Sequence, residues 1–160
     1  MWEQIRVIRL RPKATVDSFP IFMDIEEPEK ELRKWDWIVG DAQYLPFRDS
    51  CFDKVIASHV IEHLDDPIMF LKEVRRILKI GGRLHLFCPN FLSVSARADP
   101  SHKHVFNPIT LALVLKKLGF KVHFNYRAGS KLPNLIRKPL TVLLNMVSDE
   151  VSITATKWVG

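Results

Sequence analysis

The sequence predicts an α/β fold on a mainly parallel sheet, and three observations predict it. Short strand-like apolar runs alternate with helical stretches along the chain. Residues 52–58 (FDKVIAS) have the β-branched make-up of a buried parallel strand. The stretch that follows, opened by Asp66 and Pro67, repeats apolar residues at three- and four-residue intervals.

Each element has its own signal. Ile5 to Leu10 alternates apolar and basic residues as a strand does, and a second apolar run, Phe19 to Ile25, follows after only about nine residues. No full helix fits between them. Glu26, Glu27, Pro28 and Glu29 suit the positive end of a helix dipole and predict a short helix through Lys34, followed by a third strand at Trp35 to Val39. After the fourth strand, Asp66 is placed to cap a helix whose stripe is Phe70, Leu71, Val74, Ile77 and Leu78, with Gly81 and Gly82 as its stop. Arg83 to Cys88 reads as a strand ended by Pro89 and Asn90, and residues 91–106 as a long loop of the kind that is often functional. Asn107 and Pro108 start another helix, with Leu111, Val114, Leu115 and Leu118 on its apolar face and Gly119 at its end. Phe120 to Tyr126 is a strand, residues 134–147 an apolar helical segment interrupted by Pro139, and Val151 to Trp158 a closing strand. Sheets of this kind bind ligands outside the carboxyl ends of their strands.

Composition bounds the function. With 160 residues, 47% of them apolar, the chain can bury one sizeable core and is short for two, so one domain spanning 1–160 is expected. No apolar run reaches the roughly 18 residues of a membrane span. The basic N-terminus is broken by charges and lacks a secretory stretch, so cytoplasmic residence is expected. Cys51 and Cys88 lack the spacing of a metal knuckle or redox motif; free thiols and no metal site are expected. The net charge of +6 would suit an acidic partner such as nucleic acid, although solvated charge is the commoner reason for such a surplus. Leu135 to Val147 would either cover the sheet or supply a homodimer surface.

Three runs, read in order, carry a family resemblance: FMDIEEP, then IVGDAQYLPFRDSCFDKVIASHVIEHLDDPIMFLKEVRRILKIGGRLHLFCPN, then DPSHKHVFNPITLALVLKKLGF. Together they resemble the class I S-adenosylmethionine (SAM)-dependent methyltransferases. The resemblance implies a three-layer Rossmann-like fold, mostly parallel with an antiparallel C-terminal strand and abbreviated at the N-terminus, and SAM as cofactor. It places Asp24, with Ile25 beside it, where a carboxylate takes the ribose hydroxyls; a helix cap is the alternative use of Asp24. It places Gly40, Asp41 and Ala42 at the adenine, and Ser58 and His59 at the methionine portion; Asp41 bonding its own turn is the alternative there. Glu62 and His63 match a frequent pair of the family and read as a structural pair fixing the loop.

The departure lies in the first motif. The family's glycine-rich loop after its first strand has no counterpart, because the first glycine of this chain is Gly40 and Leu10, Arg11 and Pro12 stand in its place. Arg9, Arg11 or Lys13 is the candidate to grip the cofactor carboxylate by charge instead, Arg11 foremost. His102 and His104 in the long loop are candidate catalytic bases toward a hydroxyl or amine acceptor, a glycan or small metabolite, with a solvated loop as the other reading. An active methyltransferase and a degenerate module of the same fold that binds or regulates, with nucleic acid as one partner, are the two functional expectations.

Overall fold

The computed structural model describes residues 7–11, 21–27, 30, 36–125, 140, 143–144 and 148–158. Seven strands, β1 (Val7–Arg11), β2 (Ile21–Asp24), β3 (Asp36–Val39), β4 (Phe52–Ser58), β5 (Leu78–Pro89), β6 (Phe120–Phe124) and β7 (Glu150–Lys157), form one sheet in the order β3-β2-β1-β4-β5-β7-β6. The helices are α1 (Pro67–Ile77), α2 (Val94–Ala98) and α3 (Pro108–Lys117). The helices expected over 26–34 and 134–147 fall mostly outside the described residues. None of the described helices is long and apolar enough to cross a membrane.

Strand direction departs from the mainly parallel expectation at one place. β2 pairs parallel with β3, and β4 with β5, while β7 runs antiparallel to both β5 and β6, as expected of the C-terminal strand. β1, however, is antiparallel to both its neighbours, with Ile8 opposite Met23 and Ala57. Five strands therefore point one way, and β1 and β7 the other. The cause is length: residues 12–20 join β1 to β2, and a parallel crossover needs about a dozen residues or more.

Burial along the central strands alternates with the pleat. Val55 and Ala57 of β4, Leu84, Leu86 and Cys88 of β5, and Val151, Ile153 and Ala155 of β7 are all fully buried, and the α1 stripe Phe70, Leu71, Val74 and Ile77 joins them in one core. Asp66 caps α1 as expected, its Oδ1 accepting from the N–H of Ile68 at 2.9 Å and of Met69 at 3.0 Å. The end of α1 is a correction. The helix stops at Ile77 and β5 begins at once: Leu78 pairs with Phe52 and Arg83 with Lys54, so residues 79–82 bulge out of the ladder. Gly81 has φ +78°, and a Cβ on Gly82 would sit 2.8 Å from the Lys79 carbonyl oxygen, so these glycines form the bulge instead of the helix stop. The loop after β5 also differs from expectation, holding the short helix α2.

Two polar clasps tie the loops to this frame. Arg76 on α1 donates to Glu73 (Nε to Oε1, 2.7 Å; Nη2 to Oε2, 2.8 Å), to the carbonyls of Phe47 (2.6 Å) and Leu45 (2.9 Å), and to Asp49 (2.8 Å). Glu73 also accepts from the Leu45 N–H at 3.0 Å. One guanidinium thus fastens the β3–β4 loop to the helix in a geometry that only a planar fork of donors can satisfy. The second clasp is His59, the first residue after β4, whose φ of +52° aims its ring between Glu62 Oε1 (3.1 Å) and Glu150 Oε2 (3.2 Å) at the start of β7. Hydrogen bonds donated to Glu150 and then Glu62 raise the imidazole to about 9, so at neutral pH it is a cation joining two carboxylates.

Arg76→Ala is expected to cost about 2–3 kcal/mol in urea denaturation, the scale of charge-assisted hydrogen bonds. Its partner gives the sign of a pH dependence. Arg76 holds the Glu73 carboxyl below its ordinary value of 4.5, so the clasp contributes fully above that pH and fades as acid carries the pH through the lower folded value. The stability difference between the parent protein and Glu73→Gln should shrink below about pH 4.5; a difference that stays constant in acid would contradict the ion pair. His59→Asn keeps a residue that tolerates positive φ and removes the bridging cation. It should lower stability by about 2 kcal/mol, because Glu62 is fully buried and loses its ionic partner.

Candidate active site

The carboxyl ends of β2, β3 and β4 open onto a cavity of about 380 Å³. Met23, Asp24 and Ile25 come from the end of β2, and Gly40, Asp41 and Ala42 from the turn after β3. Val60, His63 and Leu64, from the segment after β4, make the next wall. Pro100, Ser101 and Lys103 from the long loop complete it. All five residues predicted for the ribose and adenine regions are thus brought to one cavity, at the edge where α/β sheets bind ligands.

Local hydrogen bonds set the two acidic turns. Asp24 Oδ1 accepts from the Ile25 N–H at 2.6 Å, and the Asp24 carbonyl accepts from the Gly40 N–H at 2.8 Å, joining the ends of β2 and β3. Asp41 Oδ1 accepts from the Gln43 N–H at 2.8 Å, while Gln43 Nε2 lies 3.2 Å from both Asp41 oxygens. Gln43 Oε1 then takes the Asp66 N–H at 2.6 Å, which connects this turn to the cap of α1. Both carboxylates therefore bond their own turns while lining the cavity. The uses are compatible, since a carboxylate offers about four lone-pair positions. Gly40 keeps the wall thin, because a Cβ there would lie 2.9 Å from Met23 Cε. Ile25, 67% exposed, presents an apolar side chain beside the acid.

Other expected residues fall elsewhere. Ser58 ends β4 at the same edge but does not line the cavity, and neither does His59, whose ring is held between Glu62 and Glu150. The backbone of Arg11 lies opposite Lys54, at the amino-terminal end of β4. Leu10 pairs with Ile21, so Arg11 stands four residues of strand rise, about 13 Å, from the level of Asp24. The reversed direction of β1 thus sets the Arg11 backbone away from this edge. In and beside the His-Lys-His run, Ser101 and Lys103 line the cavity, whereas His102 and His104 do not. His102 packs its ring on His63 at 4.8 Å with Nδ1 2.8 Å from the Ala96 carbonyl oxygen, and His104 lies against Phe106.

The Glu62–His63 pair does fix the loop. The Glu62 carbonyl accepts from the N–H groups of Lys103 (2.8 Å) and His104 (3.1 Å), and His63 Nδ1 bonds the Ser101 carbonyl at 3.0 Å. Gln43, Val60, Leu64, Ser101, Lys103 and Glu150 were not singled out from the sequence. The usable signal was the apolar-acidic run HVIEHL directly after a buried strand, which marks a segment at the ligand edge. A second, basic cavity of about 570 Å³ lies near the amino end of β4, lined in part by Lys72, Arg75, Lys117 and Lys157. Lys157 Nζ donates to the Leu78 carbonyl at 2.6 Å, and burial lowers its pKa. Cys51 and Cys88 are free thiols.

Comparison with known proteins agrees with this arrangement. The family profile "Methyltransferase domain" matches residues 14–86. The ubiquinone/menaquinone biosynthesis C-methyltransferase UbiE of Ruegeria sp. (strain TM1040) is 43% identical over 58 residues, covering 36% of this chain and 23% of that protein. The demethylmenaquinone methyltransferase of Thermotoga maritima is 42% identical over 60 residues, covering 38% and 26%. The chain spans about a quarter of the length of these two curated relatives. Among solved structures, a Thermotoga maritima SAM-dependent methyltransferase, a possible histamine N-methyltransferase, superposes with a TM-score of 0.62 at 25% identity, covering 86% of this chain and 72% of that one. With its cavity at the carboxyl edge of β2 and β3, the chain resembles the class I SAM-dependent methyltransferases in fold and matches the methyltransferase domain profile over residues 14–86.

Proposed function

We propose that this chain binds SAM in the cavity at the ends of β2 and β3 and acts as a methyltransferase on a small acceptor. The observation that carries the reading is the convergence of Asp24, Gly40, Asp41 and Ala42 on one cavity with apolar Val60 and Leu64 facing them. The donor set fits the nucleoside half of the cofactor: carboxylates accept from ribose hydroxyls and an exocyclic amine, backbone N–H groups donate to ring nitrogens, and aliphatic walls cover an aromatic base. Asp24 would hold the ribose, Asp41 and the backbone at Ala42 the adenine edge, and Ile25 with Leu64 the ring faces. When bound, SAM supplies an electrophilic methyl group on a sulfonium. The chain's own contribution is then positioning, because in-line displacement is accelerated chiefly by holding donor and acceptor at attack distance.

For the acceptor, the relatives shift the reading. A hydroxyl or amine on a sugar or small metabolite was the expectation, whereas the relatives named above include enzymes of quinone biosynthesis that methylate carbon. We favour a small carbon acceptor of the quinol type, with hydroxyl and amine acceptors as the comparison arms of a screen.

Calorimetric titration with SAM and with its demethylated product tests the cofactor reading. Saturable binding is expected, weakened at least tenfold in Asp24→Ala, the order of one or two charge-assisted hydrogen bonds. A folded protein that binds neither compound would overturn the proposal and leave a degenerate module of the fold. Methyl transfer from labelled SAM to a demethylated quinol, against sugar and amine acceptors, then tests the acceptor class.

A further inference from the structure

We infer that Glu62, His63 and His102 form a binding site for a divalent first-row transition-metal ion beside the cofactor cavity. One ligand atom from each of the three lies within 4.8 Å of the others. A tetrahedral ion with bonds near 2.1 Å holds its ligand atoms roughly 3.4 Å apart, so small side-chain rotations close the set. The residues come from two separate segments, the turn after β4 and the loop after α2, and are brought together by the hydrogen bonds of Lys103 and His104 to the Glu62 carbonyl.

The outer contacts are those a metal site uses. His63 Nδ1 faces the Ser101 carbonyl at 3.0 Å and His102 Nδ1 faces the Ala96 carbonyl at 2.8 Å. A carbonyl can only accept, so each Nδ1 carries the proton, and in the neutral ring the lone pair is at Nε2. Glu62 Oε1 is held by His59 at 3.1 Å. Its other oxygen, Oε2, is buried and has no hydrogen-bond partner among the described residues, and the residue as a whole is fully buried. A carboxylate oxygen taken out of water without a donor is costly, and a cation at this place satisfies it. Two imidazoles and one carboxylate make a donor set that suits zinc and iron far better than magnesium or calcium. Asp99 Oδ2, 3.5 Å from His102 Nε2, adds a further acidic group to the neighbourhood, and the rival arrangement is a protonated His102 paired with it.

The inference concerns a cation alone and stands or falls independently of SAM binding. Chelator-stripped protein in a Cys51→Ser background, which removes the partly exposed thiol as a competing ligand, is dialysed against zinc without SAM. One equivalent per chain is expected, with zinc raising the Tm. His63→Gln and His102→Gln should each weaken binding at least tenfold and abolish the Tm rise, while His104→Gln leaves both unchanged. Neither histidine is fully buried, His102 keeping 12% of its side chain exposed, and circular dichroism verifies that these variants fold, so the test does not depend on substituting the fully buried Glu62. Absence of stoichiometric zinc, or zinc binding that survives both histidine variants, overturns the site and leaves His102 as the ion-pair partner of Asp99.

Discussion

The short connection between β1 and β2 governs much of what is distinctive here. Nine residues, 12–20, cannot carry the chain back along the sheet, so β1 can join its neighbours only by running against them. Leu10 still enters the core with no exposed surface, and β1 still fills the place between β2 and β4. The sheet therefore stays continuous while one strand changes direction. The consequence reaches the site: at the ligand edge, between Asp24 and Ser58, the sheet presents the amino end of β1 in place of a carboxyl end. Both ends of the β1–β2 connection lie at the far edge. The cavity is accordingly built by β2, β3 and the segments after β4 and α2.

The legibility of the fold divides along a physical line. Element types were readable because side-chain periodicity is local: β4, the cap and stripe of α1, the Asn107 cap of α3 and the antiparallel β7 all follow from residues a few positions apart. Strand direction is harder to read, because the nine-residue gap that excludes a helix fixes polarity only once β1 and β2 are known to be neighbours in the sheet. Gly81 and Gly82 mark a departure from regular structure whose kind depends on the partner strand. Only the pairing of Leu78 with Phe52 shows it to be a bulge.

The site divides in the same way. Asp24, Ile25, Gly40, Asp41 and Ala42 were legible because they follow directly on strands, where the end of a strand fixes the place of the next residue. Ser101 and Lys103 were not, since nothing in a loop sequence tells which of its alternate side chains faces inward. His102 and His104 drew attention as chemically versatile residues, and the loop turns the intervening Lys103 to the cavity instead. A carboxylate grip by Arg9, Arg11 or Lys13 rests on charge and sequence order, which do not carry the direction of β1.

Hydrogen bonds from α1 explain how a cavity without a glycine-rich first turn keeps a defined shape. Gln43 links the Asp41 turn to the α1 cap, and Arg76 fastens the rest of that loop further along the same helix. Across the cavity, the Glu62 carbonyl holds the loop bearing Ser101 and Lys103 through two backbone N–H groups. Each wall is thus anchored to a buried element before any ligand arrives. A ligand gains most from groups already held in place, because less conformational entropy is lost on binding. On this account the turn bonds of Asp24 and Asp41 do not compete with a role toward a ligand: they hold at the cavity wall two carboxylates that would otherwise lose that freedom on binding.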